Sequence, residues 1–128
     1  MKNTISLRNG EIFSMAIILK EICENPDLVL PIKANFYLQK NKNALLELAQ
    51  EIETARNEIF AKFGTLNAEG TGYNFDEAVI ADANAELEDL LTLSQEVSLY
   101  LINIDDFKDV KLTSQQMSAL MLMLEEIE

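Results

Sequence analysis

The feature that most constrains the fold is the stretch between Pro31 and Gly64, which contains neither glycine nor proline. Within it, apolar residues recur every seven positions, a spacing that keeps one face of an α-helix apolar. The recurring residues are Leu38, Leu45, Ile52 and Ile59. Proline favours the first position of a helix, because its fixed φ is helical and its missing N–H needs no partner there. The stretch therefore predicts one continuous helix of about thirty residues that begins at Pro31.

The apolar pattern of this helix is imperfect. Leu48 and Ala55 lie three positions after two of the recurring residues, but Asn41 and Lys62 occupy the equivalent positions in the other two repeats. Polar residues in the apolar seam weaken a long free-standing coiled coil. We therefore expect the helix to pack inside a small bundle or a helical hairpin.

A glycine-rich loop and a second helix follow the long one. The segment 64–72 holds three of the four glycines, so it predicts the tip of a hairpin. Asn74 with Glu77 three residues later matches the capping box that begins many helices. The apolar residues after it recur at intervals of three and four, namely Ile80, Ala83, Leu87 and Leu90. This pattern predicts a helix that returns antiparallel to the first.

Shorter elements flank the hairpin. Over Glu11–Cys23, apolar residues cover nearly all sides of a helix, which predicts a largely buried one. The sequence Asn25-Pro26-Asp27 then predicts its end. The segments Thr4–Leu7 and Gln95–Ile104 alternate polar and apolar side chains, as β-strands do, and we expect them to pair.

The C-terminal segment begins with a second capping box, Thr113 with Gln116, which predicts a last helix. Its apolar residues occupy more than one face. Met117, Met121 and Met123 are core residues in one interpretation, and in the other they form a surface for a partner or for self-association, because flexible methionine side chains adapt to several packings. Because more than one face of this helix is apolar, packing on one side only would leave apolar side chains in water.

These elements together predict a mainly α (α+β) fold. Its parts are a long antiparallel helical hairpin, two shorter helices and a small two-stranded β ribbon. A chain of 128 residues has the length of one domain, so we expect a single domain over 1–128.

The charge of the chain is unevenly distributed. Ten Lys and Arg residues against 22 Asp and Glu residues give a net charge of −12, and residues 65–128 carry only Lys108 and Lys111 against fourteen acids. Such a surface repels phosphate backbones and anionic lipids, so direct nucleic-acid binding is not expected. On the returning helix, Asp82, Glu86 and Asp89 share one face. This face is either ordinary solvated surface or an anionic strip that binds a basic partner.

A weak candidate ligand site lies near the start of the long helix. Lys33, Tyr37 and Lys40 share a helix face there, with Lys42 and Arg8 as candidate neighbours. The helix dipole and the free N–H groups favour an anion, and a tyrosine ring can stack on a base, so a nucleotide is the ligand that would fit. The alternative is that the lysines only solubilise the helix and the tyrosine is half in the core. No glycine-rich phosphate motif accompanies the cluster.

The residue types exclude most catalytic designs. The chain has no histidine and one cysteine, so histidine relays, histidine metal sites and paired-cysteine zinc sites cannot form within it. Cys23 lies in an apolar helix stripe, which indicates inert core and, being unpaired, a reducing compartment. Asp105, Asp106 and Asp109 lack the rest of a calcium loop and indicate a solvated turn. We expect no enzyme activity, no metal and no cofactor.

The sequence also predicts where the protein acts. No apolar run approaches the ~20 residues of a membrane helix, and the first residues lack the pattern of a signal peptide. We therefore expect a cytoplasmic protein without a membrane partner.

The order of several segments resembles a family. These are the "LP-hydrophobic-K" entry Leu30–Lys33, the end of the long helix Lys62-Phe63-Gly64, the strand Glu96–Ile102, and the final Leu112–Gln116. Their order resembles that of small proteins of unknown function encoded by bacteriophages and prophages of Gram-positive hosts, although the loop Asn67–Asn74 has no counterpart. The resemblance implies a phage accessory protein in the host cytoplasm and assigns no site residue.

The expected function is therefore non-enzymatic binding of a host or phage protein, or assembly with itself as a homo-oligomer. Inhibition of a host defence system is the most specific form of this hypothesis. Two alternatives stay open: sequestration of a small anionic ligand such as a nucleotide, and a role as a virion assembly factor or tail chaperone.

Overall fold

A computed structural model describes residues 2–107 and 110–125. In chain order the elements are β1 (Lys2–Arg8), α1 (Asn9–Glu24), α2 (Ile32–Phe63), β2 (Thr65–Leu66), β3 (Tyr73–Asn74), α3 (Glu77–Thr92), β4 (Ser94–Tyr100), β5 (Ile102–Asn103), a 3-10 turn (Ile104–Phe107), α4 (Ser114–Leu120), a second 3-10 turn (Met121–Met123) and β6 (Leu124–Glu125). The predicted mainly α (α+β) class, with one long helix and a small two-stranded antiparallel sheet, is confirmed.

The core lies between α1 and α2, which pack along each other. Fully buried side chains from both helices fill it, among them Ile12, Leu19, Leu38 and Leu45. α1, expected to be largely buried, buries six of its residues, but its apolar surface is not covered on every side, because Ile17 is 49% exposed. α1 packs along α2 and also contacts α3 and α4, while a strip of its surface that includes Ile17, Lys20 and Glu24 meets solvent.

The long helix is confirmed over Ile32–Phe63, with one correction at its start. Pro31 has φ −54° and ψ 149°, so it precedes the first helical residue instead of being that residue. Its carbonyl still accepts a hydrogen bond from the Asn35 N–H at 3.0 Å. At the other end, the Gly64 N–H donates to the Phe60 carbonyl at 2.7 Å, and a Cβ at Gly64 would lie 2.8 Å from that oxygen. Only glycine fits this approach.

Asn41, which interrupts the apolar pattern, is a buried structural residue. Its side chain is 1% exposed. The amide Nδ2 donates to the Tyr100 carbonyl at 2.9 Å, and Oδ1 accepts from the Tyr100 N–H at 2.7 Å. The amide group thus pairs with the backbone of β4 as a neighbouring strand would, which satisfies two polar groups that would otherwise be buried alone.

The predicted ribbon between the N-terminus and the later strand is confirmed. β1 and β4 pair antiparallel, with Lys2 opposite Tyr100 and Arg8 opposite Ser94. The prediction of one strand through Ile104 is wrong, since β4 ends at Tyr100. In β4 every second residue is buried, Val97 and then Leu99, but this alternation stops at Leu101, which is only half-buried. The next buried residue is Ile102, which belongs to β5 and pairs parallel with β6.

The hairpin tip and α3 differ from the prediction in detail. The glycine-rich segment is flanked by a miniature hairpin in which β2 pairs with β3. Asn74 is not the cap of α3, because it lies in β3 opposite Thr65, and Asp76 takes the cap position two residues later. Of the residues of α3, only Ala83 is buried.

The capping box of the last helix is confirmed. Thr113 Oγ1 accepts from the Gln116 N–H at 3.1 Å, and Gln116 Oε1 accepts from the Thr113 N–H at 3.0 Å. The predicted last helix is shorter than its apolar residues indicated, because α4 ends at Leu120 and the chain continues as a 3-10 turn into β6. Ile127 lies outside the described residues, as does Asp109. No helix in the described ranges is long and apolar enough to cross a membrane.

Candidate functional site

Two tyrosines from different elements stack between two lysines. The rings of Tyr37 on α2 and Tyr100 on β4 are parallel, with centroids 4.8 Å apart. The Lys33 ammonium lies 5.7 Å from the Tyr37 ring centroid, and the Lys2 ammonium lies 4.5 Å from that of Tyr100. Each ammonium approaches only one ring, which places the lysines on the outer sides of the stack in cation–π contact.

The structure brings only part of the predicted ligand cluster together. Lys33 and Tyr37 are joined, whereas Lys40 lies 5.4 Å from the ring centroid of Phe36. Lys42 donates to Gln39 Oε1 at 2.8 Å. The tyrosine rings already have a partner on each side, so a nucleotide base would have to displace a lysine before it could stack.

Arg8, the other candidate neighbour, lies at the far end of the ribbon from this stack. The residues that join it instead are Lys2 and Tyr100, which sequence reasoning did not include. Their pairing follows from the register of the ribbon, in which Lys2 is opposite Tyr100. The alternation of polar and apolar residues predicts the two strands but does not determine their register. It therefore could not show that Lys2 lies opposite Tyr100.

The acidic face of α3 is partly neutralised. Asp82 and Asp89 are exposed. Glu86 between them accepts a hydrogen bond from the Lys62 ammonium at 2.8 Å, an ion pair that ties α3 to the end of α2. The face remains anionic, with an exposed carboxylate on either side of the ion pair.

The three predicted methionines separate into core and surface. Met123 is fully buried, and its sulfur lies 3.4 Å from Asn41 Nδ2. Met117 and Met121 are exposed, Met121 by 65%, and Leu122 beside them is partly exposed. Because the helix ends before Met121, the 3-10 turn places Met123 in the core and Met121 in solvent, while Met117 is exposed on α4 itself.

A groove of about 550 Å³ is lined in part by Leu122, and we call it the α4 groove. The start of α1, the end of α3 and α4 form its walls. Its apolar lining consists of Met15, Ile18, Leu91, Ala119 and Leu122. Hydroxyl and amide groups lie along it as well, including those of Ser14, Thr92 and Gln115. The groove therefore combines an apolar floor with polar groups, a composition typical of binding sites.

The only cysteine is poorly suited to act as a nucleophile. Cys23 is half-buried, and this burial raises the pKa of its thiol; nearby Lys42 lowers it and Glu24 raises it further. A raised pKa keeps the thiol protonated, and the thiolate is the reactive form. Among residues 2–107 and 110–125, no three cysteine or carboxylate side chains meet as a metal site.

Comparison with protein-family models, with curated proteins and with solved structures gives no match for this chain.

Proposed function

We propose that this chain is a non-enzymatic binding protein that acts through protein–protein contact, with the α4 groove as its contact site. The observation that carries the proposal is that Leu122, an exposed apolar residue, forms part of the apolar lining of the groove, next in the chain to the exposed Met121. Apolar surface left in water by a folded domain is characteristic of interaction sites. Methionine suits such a site because its unbranched, polarizable side chain adapts to the shape of a partner.

The shape of the groove favours a protein over a small ligand. It lies open along the surface between three helices, and Gln115 and Ser118 offer hydrogen bonds at its edge. A helix or loop of a partner could place an apolar side chain on Ile18 and Leu91 while its backbone or polar groups meet these edges. Burial of apolar area, at about 25 cal/mol per Å², would provide most of the affinity.

The acidic face of α3 favours a basic partner. Asp89 lies one helical turn before Thr92, which lines the groove, so this face leads to the groove, whose own lining carries one charge of each sign, Arg8 and Glu11. A partner with lysines or arginines around an apolar anchor would be attracted to this region from a distance and would associate faster at low salt. Such a partner would contact both surfaces that the sequence indicated, the acidic face of α3 and the methionine-rich C-terminal segment.

The resemblance to small phage proteins supports a host protein as the partner. In its most specific form, the proposal is that the chain occupies the surface of a protein of a bacterial defence system and so inhibits it. A virion assembly factor would use the same kind of surface toward a phage structural protein. The identity of the captured protein separates these two cases.

Affinity capture with matched variants tests the proposal. The tagged chain is incubated with lysate of a Gram-positive host, captured proteins are identified by mass spectrometry, and binding of the purified partner is then measured at several salt concentrations. The double variant Met121→Gln with Leu122→Gln should lose the partner. Leu66→Gln, which changes an exposed apolar residue at the hairpin tip, should keep it.

Equal capture by all three proteins would contradict the α4 groove as the contact site. Thermal melting with a panel of nucleotides runs in parallel. A rise of several degrees in melting temperature with one nucleotide, lost in Lys33→Ala, would favour ligand sequestration instead.

A further inference from the structure

The outward face of α2 is exposed along the whole helix and carries opposite charges in its two halves. Its residues recur at intervals of three and four, and each of them is exposed. They are Ile32, Phe36, Lys40, Asn43, Glu47, Glu51, Thr54 and Glu58, with Lys33 beside Ile32. All charged residues of α2 before residue 47 are lysines, whereas from residue 47 onward this face carries only glutamates.

This charge order opposes the dipole of the helix itself. The N-terminal end of a helix favours acidic side chains and disfavours lysine, yet the first turn of α2 holds Lys33 and no acid. Within the described residues, the ion pairs of α2 are Glu53 with Arg56 and Lys62 with Glu86. Lys33 and Lys40 lie near the rings of Tyr37 and Phe36, but neither of these ion pairs involves a charge of the outward face. The charges of this face therefore suit an attraction to a second molecule.

The spacing of these charges makes the face complementary to itself. Lys33 and Lys40 are seven residues apart, which is two helical turns, and so are Glu51 and Glu58. If the same face of a second copy lies antiparallel on it, the register that sets Lys33 opposite Glu58 also sets Lys40 opposite Glu51. Two-fold symmetry then forms each pair twice.

The apolar residues of the face fit the same register. Phe36, which is 54% exposed, comes to lie opposite Ala55 and between the two glutamates of the second copy. Ile32, which is 90% exposed, is covered near the end of the opposite helix. The contact therefore removes from water the two large apolar side chains that the start of α2 exposes.

We propose that the outward face of α2 is a self-association surface, on which a second copy of this chain binds antiparallel about a two-fold axis. Antiparallel order also brings each helix N-terminus toward the C-terminus of the other, which is favourable for the helix dipoles. Glu47 lies near the axis, close to Glu47 of the second copy, and this like-charge pair weakens the dimer. No residue of α2 lines the α4 groove, so dimerisation does not depend on the function proposed above.

Light scattering coupled to size-exclusion chromatography and analytical ultracentrifugation test the dimer. At about 0.01 M salt the screening length is about 30 Å, and the chain should have twice the monomer mass at micromolar concentration. At about 1 M salt the screening length falls to about 3 Å, and the dissociation constant should rise at least tenfold. A wild-type chain that stays monomeric at low salt would overturn the proposal.

Charge reversal identifies the surface. The variant Lys33→Glu/Lys40→Glu and the variant Glu51→Lys/Glu58→Lys should each be monomeric, because like charges then face each other. An equimolar mixture of the two should form a heterodimer, since every pair is again of opposite sign. The reversals place acids early and lysines late in α2, which favours the helix dipole, so circular dichroism should find both variants as helical as the wild type.

Two further variants complete the test. Glu47→Gln removes the like charges near the axis and should lower the dissociation constant several-fold. The groove variant Met121→Gln/Leu122→Gln should dimerise as the wild type does, even if it loses a protein partner. Charge-reversed variants that remain dimers alone, or a mixture that remains monomeric, would show that this face is not the interface.

Discussion

The helices α1 and α3 have the same length, 16 residues each, but hold very different places in the fold. α1 buries six residues, five of them apolar, whereas α3 buries only Ala83. Both show the three-and-four spacing of an amphipathic helix. The difference lies in their neighbours, because α1 packs along α2 and also meets α4, while α3 has no helix over its outer side within the described residues. Spacing predicts that a helix forms, and the number of packed neighbours decides how much it contributes to stability.

α3 packs on α2 and is also fixed at both of its ends. At its C-terminal end, the Asn9 amide Nδ2 donates to the Leu90 carbonyl at 2.9 Å, and the Asn9 N–H donates to the Leu93 carbonyl at 2.8 Å. At the other end, the rings of Phe60 and Phe75 meet edge to face just before α3 begins. We therefore expect α1 to unfold only with the whole domain and α3 to open locally at lower cost.

The largest expected effect is that of removing a core side chain from α1. Leu19→Ala empties a fully buried position and should lower the free energy of unfolding by about 3 kcal/mol, since the lost apolar contacts leave a cavity. Urea unfolding followed by circular dichroism measures it. The control Ile17→Ala changes an exposed residue of the same helix, and an equal loss in both variants would show that α1 is not packed as described.

The next effect tests the connection between the two helices. Asn9→Ala leaves the Leu90 carbonyl and the Gln95 amide, which donates to Asn9 Oδ1 at 2.7 Å, without their partners. Because a partly buried polar group that loses its hydrogen bond costs about 1–3 kcal/mol, we expect a loss of about 2 kcal/mol in unfolding free energy. Hydrogen exchange should become faster in α3 more than in α1. Asn57→Ala, at an exposed position of α2, is the control and should change neither quantity.

Local patterns predicted most of the elements, because they depend on residues close in sequence. The helix that ends at Gly64, the capping box of Thr113 and the ribbon strands all follow from spacing and from backbone preferences. The errors arise where a distant contact decides. From sequence alone Asn41 interrupts an apolar pattern, and only the fold shows that β4 lies beside it and takes its hydrogen bonds. In the same way the sequence indicates Asn74 as a helix cap, and only the fold shows that it pairs with β2.

The candidate sites were less predictable for the same reason. Sequence spacing placed Lys33 and Tyr37 on one face, but the stack is completed by Lys2 and Tyr100, which come from two strands that the sequence could not align in register. For the methionines the sequence leaves two interpretations open, core and surface, and the structure buries Met123 and exposes Met117 and Met121. Which of them turns inward depends on where α4 ends, and the break after Leu120 has no strong local signal such as glycine or proline.

A smaller effect is expected for the apolar face of α3. Leu87 is half-buried and lines a small apolar cavity with Phe60 and Ile80. Leu87→Ala should therefore lower the unfolding free energy by about 1 kcal/mol, well below the effect of Leu19→Ala, because the side chain is already partly in water. Thermal or urea unfolding checks the difference. A loss as large as that of Leu19→Ala would contradict the contrast between the two helices.

The smallest effect concerns the ion pair between α3 and the end of α2. The Lys62 ammonium and the Glu86 carboxylate are 2.8 Å apart, but both side chains are well exposed. Exposed pairs contribute little, because water already solvates the charges and two long side chains lose freedom when they meet. A double-mutant cycle with Lys62→Gln and Glu86→Gln should give a coupling energy of about 0.5 kcal/mol that declines at high salt. A coupling several times larger would mean that this pair fixes α3 in place, and that α3 is more firmly attached than its single buried residue indicates.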